Sequence, residues 1–457
     1  MGSTSRIVIV SEDAISGRMA GPAIRCWEWA AALADTASVT LAAPSFTDVR
    51  PVGFALERYR GPGDLKSLTQ SADATIISGY TLRRCPFLQS LSCPLVVDLS
   101  HSFVLESLQT LARYSLERQW ALFAERWRVL NELLLAGDFF VCNTERQRDY
   151  WLGMLSALGR INPATYADDP TLRQLIDVVP FGLPANPPQK TGPVLKGVYK
   201  SIEPTDKVIL WGGGIYDWLD PLTLIEAVGQ MARLRNDVKL FFAGIRHPNP
   251  HVTPMEMVGK ALALSDSKDL TDRFVFFNDW VHYQARADYL LEADIGVSLH
   301  LQHLEARYAF RTRSLDYIWA ALPIICTEGD ALADLVRREN LGRVVPVQDA
   351  EALVAAILDL IGQPDLRANL APRFAGVAAR HTWDITVRPL ARFCQSPRTA
   401  PDRERAEWLR KNAQAGSTNG LSLWQERLSK GGETLRRDGP AALWHEITSF
   451  FRWRRGR

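Results

Sequence analysis

Lys207-Val208-Ile209-Leu210-Trp211-Gly212-Gly213-Gly214-Ile215-Tyr216-Asp217 is an apolar, β-branched run that ends in three consecutive glycines. It reads as a strand that stops at a glycine turn, where a ligand can lie against bare backbone. Pro221–Leu234 follows with helical character. The alternation then repeats. Lys239–Ala243, Phe274–Phe277 and Ile295–Ser298 read as strands, and Pro323–Cys326 leads into another. Arg313–Ala321 and Ala350–Leu360 read as helices. Strands of four to six residues separated by helices predict a parallel sheet covered on both faces.

The same grammar holds upstream. Arg6–Val10, Val39–Ala43, Ala74–Ser78, Leu95–Leu99, Phe139–Cys142 and Asp177–Val179 read as strands. Ala23–Leu33, Ser115–Leu135 and Thr144–Leu158 read as helices, the first opened by Gly21-Pro22, where proline costs no hydrogen bond. Between the two series, Pro184, Pro187, Pro188, Pro193 and Pro204 mark a change of character. The expected organisation is an α/β chain of two Rossmann-like domains, 1–182 and 205–380, joined by a linker at 183–204 and followed by 381–457. Ligands bind at the carboxyl ends of such sheets, so the expected active site is the central cleft between the domains.

Composition narrows the class. At 457 residues and 47% hydrophobic, the chain can bury a large core, which excludes disorder. A net charge of +2 offers no global field for nucleic acid. Six scattered cysteines form no CxxC pair, which argues against a disulfide framework or a structural zinc site. The opening Met1–Asp13 reads as a first strand rather than a signal peptide. No run of 18 apolar residues would span a membrane. Residues 396–457 differ from the rest, with 13 basic and 7 acidic residues and Trp408, Trp424, Trp444 and Trp453. Tryptophan and arginine together suit a lipid headgroup layer.

Three stretches carry chemistry. Gly17-Arg18-Met19-Ala20-Gly21-Pro22 follows the first strand but has neither the dinucleotide spacing nor the P-loop pattern. It is a glycine loop at a helix start, where Gly21 lets a substrate approach the backbone. Gly212, Gly213 and Gly214 offer amides to a pyrophosphate. In Leu304-Glu305-Ala306-Arg307-Tyr308-Ala309-Phe310-Arg311-Thr312-Arg313, two arginines stand where a helix begins. Cations there oppose the helix dipole, and a bound diphosphate resolves the conflict. Asp316, one turn on, is placed to accept bonds from two ribose hydroxyls. His101 follows a strand at its carboxyl end and faces the cleft, with Asp98 and Glu106 nearby. His300, His303 and Glu305 lack a fourth metal ligand, and no D-x-D follows an apolar strand.

With Leu315-Asp316-Tyr317-Ile318-Trp319-Ala320-Ala321-Leu322-Pro323-Ile324-Ile325, Val178-Val179-Pro180-Phe181-Gly182 and Trp211-Gly212-Gly213-Gly214, the chain resembles the retaining glycosyltransferases of family 4, which have the GT-B fold. The likeness runs from Ile7 to about Leu390 and is nearest to a bacterial subgroup linked to surface-polysaccharide assembly. In that family two glutamates eight positions apart hold the donor. Asp316 takes the place of the second, Tyr308 stands where the first would be, and Glu305 is the candidate substitute. The family's arginine and lysine after the first strand of the second domain are missing from Gly214–Asp220, so Arg311 and Arg313 are the expected compensation.

The resemblance implies retaining, metal-independent transfer of a hexose from a UDP- or GDP-linked sugar to an acceptor hydroxyl on a glycan or lipid-linked saccharide. It implies no other cofactor and no nucleic acid. Arg311, Arg313, Glu305 and His101 are the catalytic candidates; Gly21, Gly212–Gly214 and Asp316 are the donor-binding ones. It also implies a helix near His381–Leu390 that crosses back to the first domain. The expected location is cytoplasmic, with the basic tail touching the anionic inner face of the cell membrane. The rival readings are a nucleotide-sugar epimerase of the same fold and a nucleotide-binding scaffold without activity.

Overall fold

The structure, a computed structural model, describes residues 4–249, 252 and 254–405. The first half of the chain builds seven parallel strands. They are β1 (Arg6–Val10), β2 (Ser38–Ala43), β3 (Ala55–Arg58), β4 (Ala74–Ser78), β5 (Leu95–Asp98), β6 (Phe139–Cys142) and β7 (Ile176–Val178). Their order is β3-β2-β1-β4-β5-β6-β7. The second half builds six: β8 (Lys207–Gly214), β9 (Val238–Gly244), β10 (Val275–Phe277), β11 (Ile295–Ser298), β12 (Ile324–Thr327) and β13 (Gly342–Val345). Their order is β10-β9-β8-β11-β12-β13, again all parallel. The central strands are buried throughout, as in β9, because helices cover both faces. Each sheet reverses its strand order beside its first strand, between β1 and β4 and between β8 and β11, which opens a crevice at the carboxyl ends. Two such sheets in one chain are the GT-B architecture.

Two strands escaped the sequence reading for one reason. β3 (Ala-Leu-Glu-Arg) and β13 (Gly-Arg-Val-Val) are sheet edges, where half the residues face water and no apolar run is needed. The glycines also differ from expectation. They do not follow β8 but complete it, with an irregular register between Trp211 and Gly214 and Gly214 opposite Gly244. Gly213 has φ +84°, which only glycine adopts without strain.

The proline-rich stretch folds onto the second half. Leu195 and Ile202 are fully buried, each worth about 1.5–3 kcal/mol. The Glu292 carboxylate accepts from the amides of Leu195 and Lys196 at 2.7 and 3.1 Å, and Asp288 accepts from Thr191. The chain later returns to its starting half. The Leu183 amide donates to His381 carbonyl oxygen at 2.7 Å, and the Trp383 amide donates back to Leu183 at 3.0 Å. The helix Arg388–Gln395 follows, with Phe393 stacked on Phe139 of β6 at 4.5 Å. Beyond it, buried Asp402 takes two bonds from buried Arg160, and Arg403 pairs with Asp138. Residues 406–457, with all four tail tryptophans and the terminal arginines, lie outside the described residues.

Candidate active site

A cleft runs between the two sheets at their carboxyl ends. Gly21 and Phe181 line it from the first half, Tyr216, Thr312 and Arg313 from the second. At one end Gly212–Gly214, Arg286 and Asp316 meet Trp280 and Tyr283. At the other, Asp98, His101 and Glu106 face Glu305 and Arg311.

Arg313 opens the helix Arg313–Trp319. Its Nη2 donates to Gly214 carbonyl oxygen at 2.9 Å, and its guanidinium stacks on the Trp211 ring at 4.6 Å. Its Nη1 is buried and has no hydrogen-bond partner. Desolvation lowers its pKa to about 10, so it remains a cation at neutral pH. A buried, half-satisfied guanidinium on a cleft wall is costly unless an acceptor arrives. Of the three glycine amides, that of Gly212 is already engaged. It donates to the Tyr317 hydroxyl at 2.7 Å, and that hydroxyl bonds onward to the carbonyl oxygens of Val297 and Leu210.

Asp316 lies in the same wall, with its side chain 39% exposed. Its Oδ1 accepts from Arg286 Nε at 3.1 Å. Arg286 is sandwiched over Tyr283 at 3.7 Å and near Trp319 at 4.7 Å. Tyr283 donates its hydroxyl across the cleft to Glu28 at 2.8 Å. Arg286 opens a helix, Arg286–Glu292, that sequence reading passed over, and it is a base on the cleft wall where Gly214–Asp220 has none. Asp220 itself is a helix cap, accepting from the Thr223 amide at 3.1 Å.

Glu305 and Arg311 are turned on each other. Two bonds of 3.0 and 2.6 Å join them, both groups are buried, and Arg311 also lies 3.8 Å from Asp330. The roles read separately in the sequence, a sugar contact for Glu305 and a diphosphate contact for Arg311, thus meet a pair that neutralises itself. His303 lies 3.5 Å from Glu305. His300 is buried, and desolvation lowers its pKa to about 4, so it is neutral. Among the described residues, no cluster of three or more His, Cys, Asp or Glu is arranged to hold a metal ion.

On the opposite wall, His101 Nδ1 lies 3.6 Å from Glu106, and the ring is half-exposed to the cleft. Desolvation by the cleft walls pulls its pKa down, but the Glu106 carboxylate outweighs this and leaves it raised. The loop carrying His101 is anchored from below. Buried Arg25 binds Asp98 at 2.8 and 3.2 Å, Asn143 at 3.0 Å and Val179 carbonyl oxygen at 2.7 Å, and Asp98 accepts from Ser100. Glu12, just past β1, was also unread. Desolvation raises its pKa to about 7 despite the Tyr80 amide and Arg84. Gly21 begins the helix Gly21–Leu33, and a Cβ there would meet only Phe181 at 3.8 Å, an ordinary contact. Neither packing nor backbone angle demands glycine at that position.

Fold and cleft together define a GT-B protein whose second-half wall carries an unpaired guanidinium nitrogen. Residues 206–363 match the family described as glycosyl transferases, group 1. Among solved structures, sucrose-phosphate synthase from Thermosynechococcus elongatus superposes with a TM-score of 0.61 at 17% identity, covering 85% of this chain and 98% of that one. HepE from Anabaena, in complex with UDP and glucose, gives 0.58 at 13%, covering 86% and 100%. WaaG, a glycosyltransferase involved in lipopolysaccharide biosynthesis, gives 0.56 at 16%, covering 86% and 100%. No curated protein sequence matches the chain.

Proposed function

We propose that this protein is a glycosyltransferase that moves a hexose from a nucleoside-diphosphate sugar to an acceptor hydroxyl, with retention at the anomeric carbon and without a metal. The observation that carries this reading is the free, buried Nη1 of Arg313 at the carboxyl end of β8. As the glycosidic bond to phosphate breaks, negative charge grows on the leaving diphosphate. A preorganised guanidinium in a desolvated wall meets that charge without reorganising. Asp316, steadied by Arg286, receives the ribose hydroxyls, and the Trp280–Tyr283 end receives the base. His101, held by Glu106, faces the donor sugar or the acceptor. Same-face attack, assisted by the donor phosphate, follows from the family resemblance. The proposed acceptor is a saccharide or lipid-linked saccharide. The proposed place is the cytoplasmic side of the cell membrane, with the basic tail against it.

One observation favours a second reading. Glu305, the substitute for the family's sugar-binding glutamate, is bound by Arg311 on both oxygens, as in a scaffold that holds a nucleotide and transfers nothing. Incubation with UDP- and GDP-hexoses and a panel of acceptors, read by chromatography and anomeric proton NMR, separates the cases. An α-linked product from an α-donor, formed in EDTA, supports transfer. An epimerised donor means an epimerase, nucleotide binding with no turnover means a scaffold, and activity restored only by Mg²⁺ or Mn²⁺ overturns the metal-free mechanism.

A further inference from the structure

Gln147 lies in the first turn of the helix Glu145–Ala157 in the first half, and only 1% of it is exposed. Its Oε1 accepts from the Asn143 amide at 2.7 Å. Its Nε2 donates twice, to Ser100 carbonyl oxygen at 3.0 Å and to Tyr308 carbonyl oxygen at 2.7 Å. Both N–H groups and the carbonyl of one side-chain amide are thus engaged. A flipped amide would set its oxygen against two carbonyl oxygens, so only one orientation of the group fits. The two carbonyls that it bonds belong to opposite walls of the cleft. Ser100 directly precedes His101 on the first-half wall. Tyr308 ends the short helix Leu304–Tyr308, which carries Glu305, and Arg311 and Arg313 follow within five residues. The Tyr308 ring adds to the same seam and lies against Tyr150, one turn beyond Gln147, at 4.8 Å. Ser100 is held a second time by Asn143 Nδ2 at 3.1 Å, and Asn143 by Arg25 at 3.0 Å. The His101 loop is therefore fixed within its own half, and what Gln147 adds is the bond across the cleft.

We infer that Gln147 is a positioning residue for sugar transfer: its amide sets the His101 loop in register with the segment Glu305–Arg313 and holds the two walls at one spacing when the cleft is closed. The part that concerns transfer rests on the transferase reading. An attacking hydroxyl must stand about 3–3.5 Å from the carbon that it attacks, and a misplacement of about 1 Å costs about a hundredfold in rate. On that reading the leaving diphosphate lies against Arg313 and the sugar or acceptor against His101, so the spacing of the walls is the spacing of the reacting groups. Tyr308, which stands where the resemblance would place a glutamate, serves this seam through its backbone and its ring. The other edge of the cleft is bonded shut as well, by the Tyr283 amide to Gly17 carbonyl oxygen at 2.8 Å and by Trp280 Nε1 to Met19 carbonyl oxygen at 3.2 Å. Those bonds leave the His101 loop untouched.

The test replaces Gln147 by methionine, which has a similar length and no donor. Spin labels at Val52→Cys and Leu234→Cys, exposed positions on the two halves, report their separation by double electron–electron resonance in the full chain with UDP. The native cysteines are buried or half-buried and take label slowly. Otherwise unaltered protein should give one main distance, and Gln147→Met should add a population at longer distances. Turnover of UDP- or GDP-hexoses should show kcat lower by about tenfold or more in Gln147→Met, with UDP affinity by calorimetry within about twofold. Equal distance distributions overturn the bridge. Longer distances with an unchanged kcat overturn the positioning role, and a kcat and UDP affinity that fall together with the melting temperature return Gln147 to a packing role. If Gln147→Met does not fold, Tyr308→Ala probes the seam from the other wall, and an unchanged distance distribution there overturns the inference. The distance measurement uses no catalysis. A wild type without turnover therefore sinks the transferase reading while the distances still decide the bridge.

Discussion

The two walls of the cleft are built on the same kind of sheet and have opposite chemistry. The second-half wall presents a desolvated cation with a free donor nitrogen, a carboxylate steadied by a second arginine, and aromatic rings. The first-half wall presents carboxylates, Glu12, Asp98 and Glu106, with a histidine held by one of them and an arginine buried behind another. On the proposed reading a diphosphate goes to the second-half wall, where a guanidinium nitrogen is unpaired, while the first-half carboxylates Asp98 and Glu106 are matched by Arg25 and His101. The sugar end of the donor then points toward the first half, beside His101.

Removing the free cation is the hardest blow to that contrast. Arg313→Ala should weaken UDP or GDP binding, measured by calorimetry, by about 10- to 150-fold, the worth of about 1.5–3 kcal/mol for a charge-assisted hydrogen bond. Equal binding by variant and wild type would sink the assignment of the anion to the second-half wall. Glu106→Gln, on the other wall, should leave nucleotide affinity within about twofold.

Gly21 sharpens the comparison at the seam. Because a Cβ there fits the protein, Gly21→Ala should hold its stability within about 0.5 kcal/mol of wild type. Its turnover with a nucleotide sugar should fall by about tenfold, since the methyl group occupies the space left for substrate. A fall in melting temperature that tracks the loss of turnover would return Gly21 to a packing role.

Glu12 tests the first-half wall through pH. Its folded pKa lies near 7, above its ordinary 4.5, so the folded chain holds a proton that the unfolded chain has released. Stability therefore declines as pH rises from about 4.5 to about 7, and the penalty is complete above that. Glu12→Gln should raise stability by about 1–3 kcal/mol at pH 8 and change it little near pH 4.5, by urea denaturation at both values. The smallest effect belongs to His101. Its NMR titration midpoint should lie above the ordinary histidine value in the wild type and move down in Glu106→Gln.

The contrast between the walls also explains what could be read from sequence. The second-half wall is local: Arg313, Asp316 and Tyr317 sit within five residues of one another, and the family match covers that half alone. Arg286 was invisible because only the fold brings it to Asp316, thirty residues away. The first-half wall is dispersed over Glu12, Arg25, Asp98 and His101, on the ends of separate strands and a helix. One signal was available: Arg25 is a lone charge on the apolar face of an Ala- and Trp-rich helix, and such a charge needs a buried partner. The pairing of Glu305 with Arg311 was one of two readings the sequence left open, a salt bridge at a helix cap or two independent ligands, because six residues of separation fit both.

The return of the chain to its starting half has a mechanical meaning. The described chain passes between the halves twice, near Leu183 and near Thr382, and these two passages run side by side as a parallel bridge. Backbone hydrogen bonds tie them, and Gly182 leaves no room for a Cβ against Trp383, which it would meet at 2.6 Å. A single tether would let one half swivel freely. Two tethers bonded to each other restrain that swivel. The two crossings are thereby held in register with each other where the halves join.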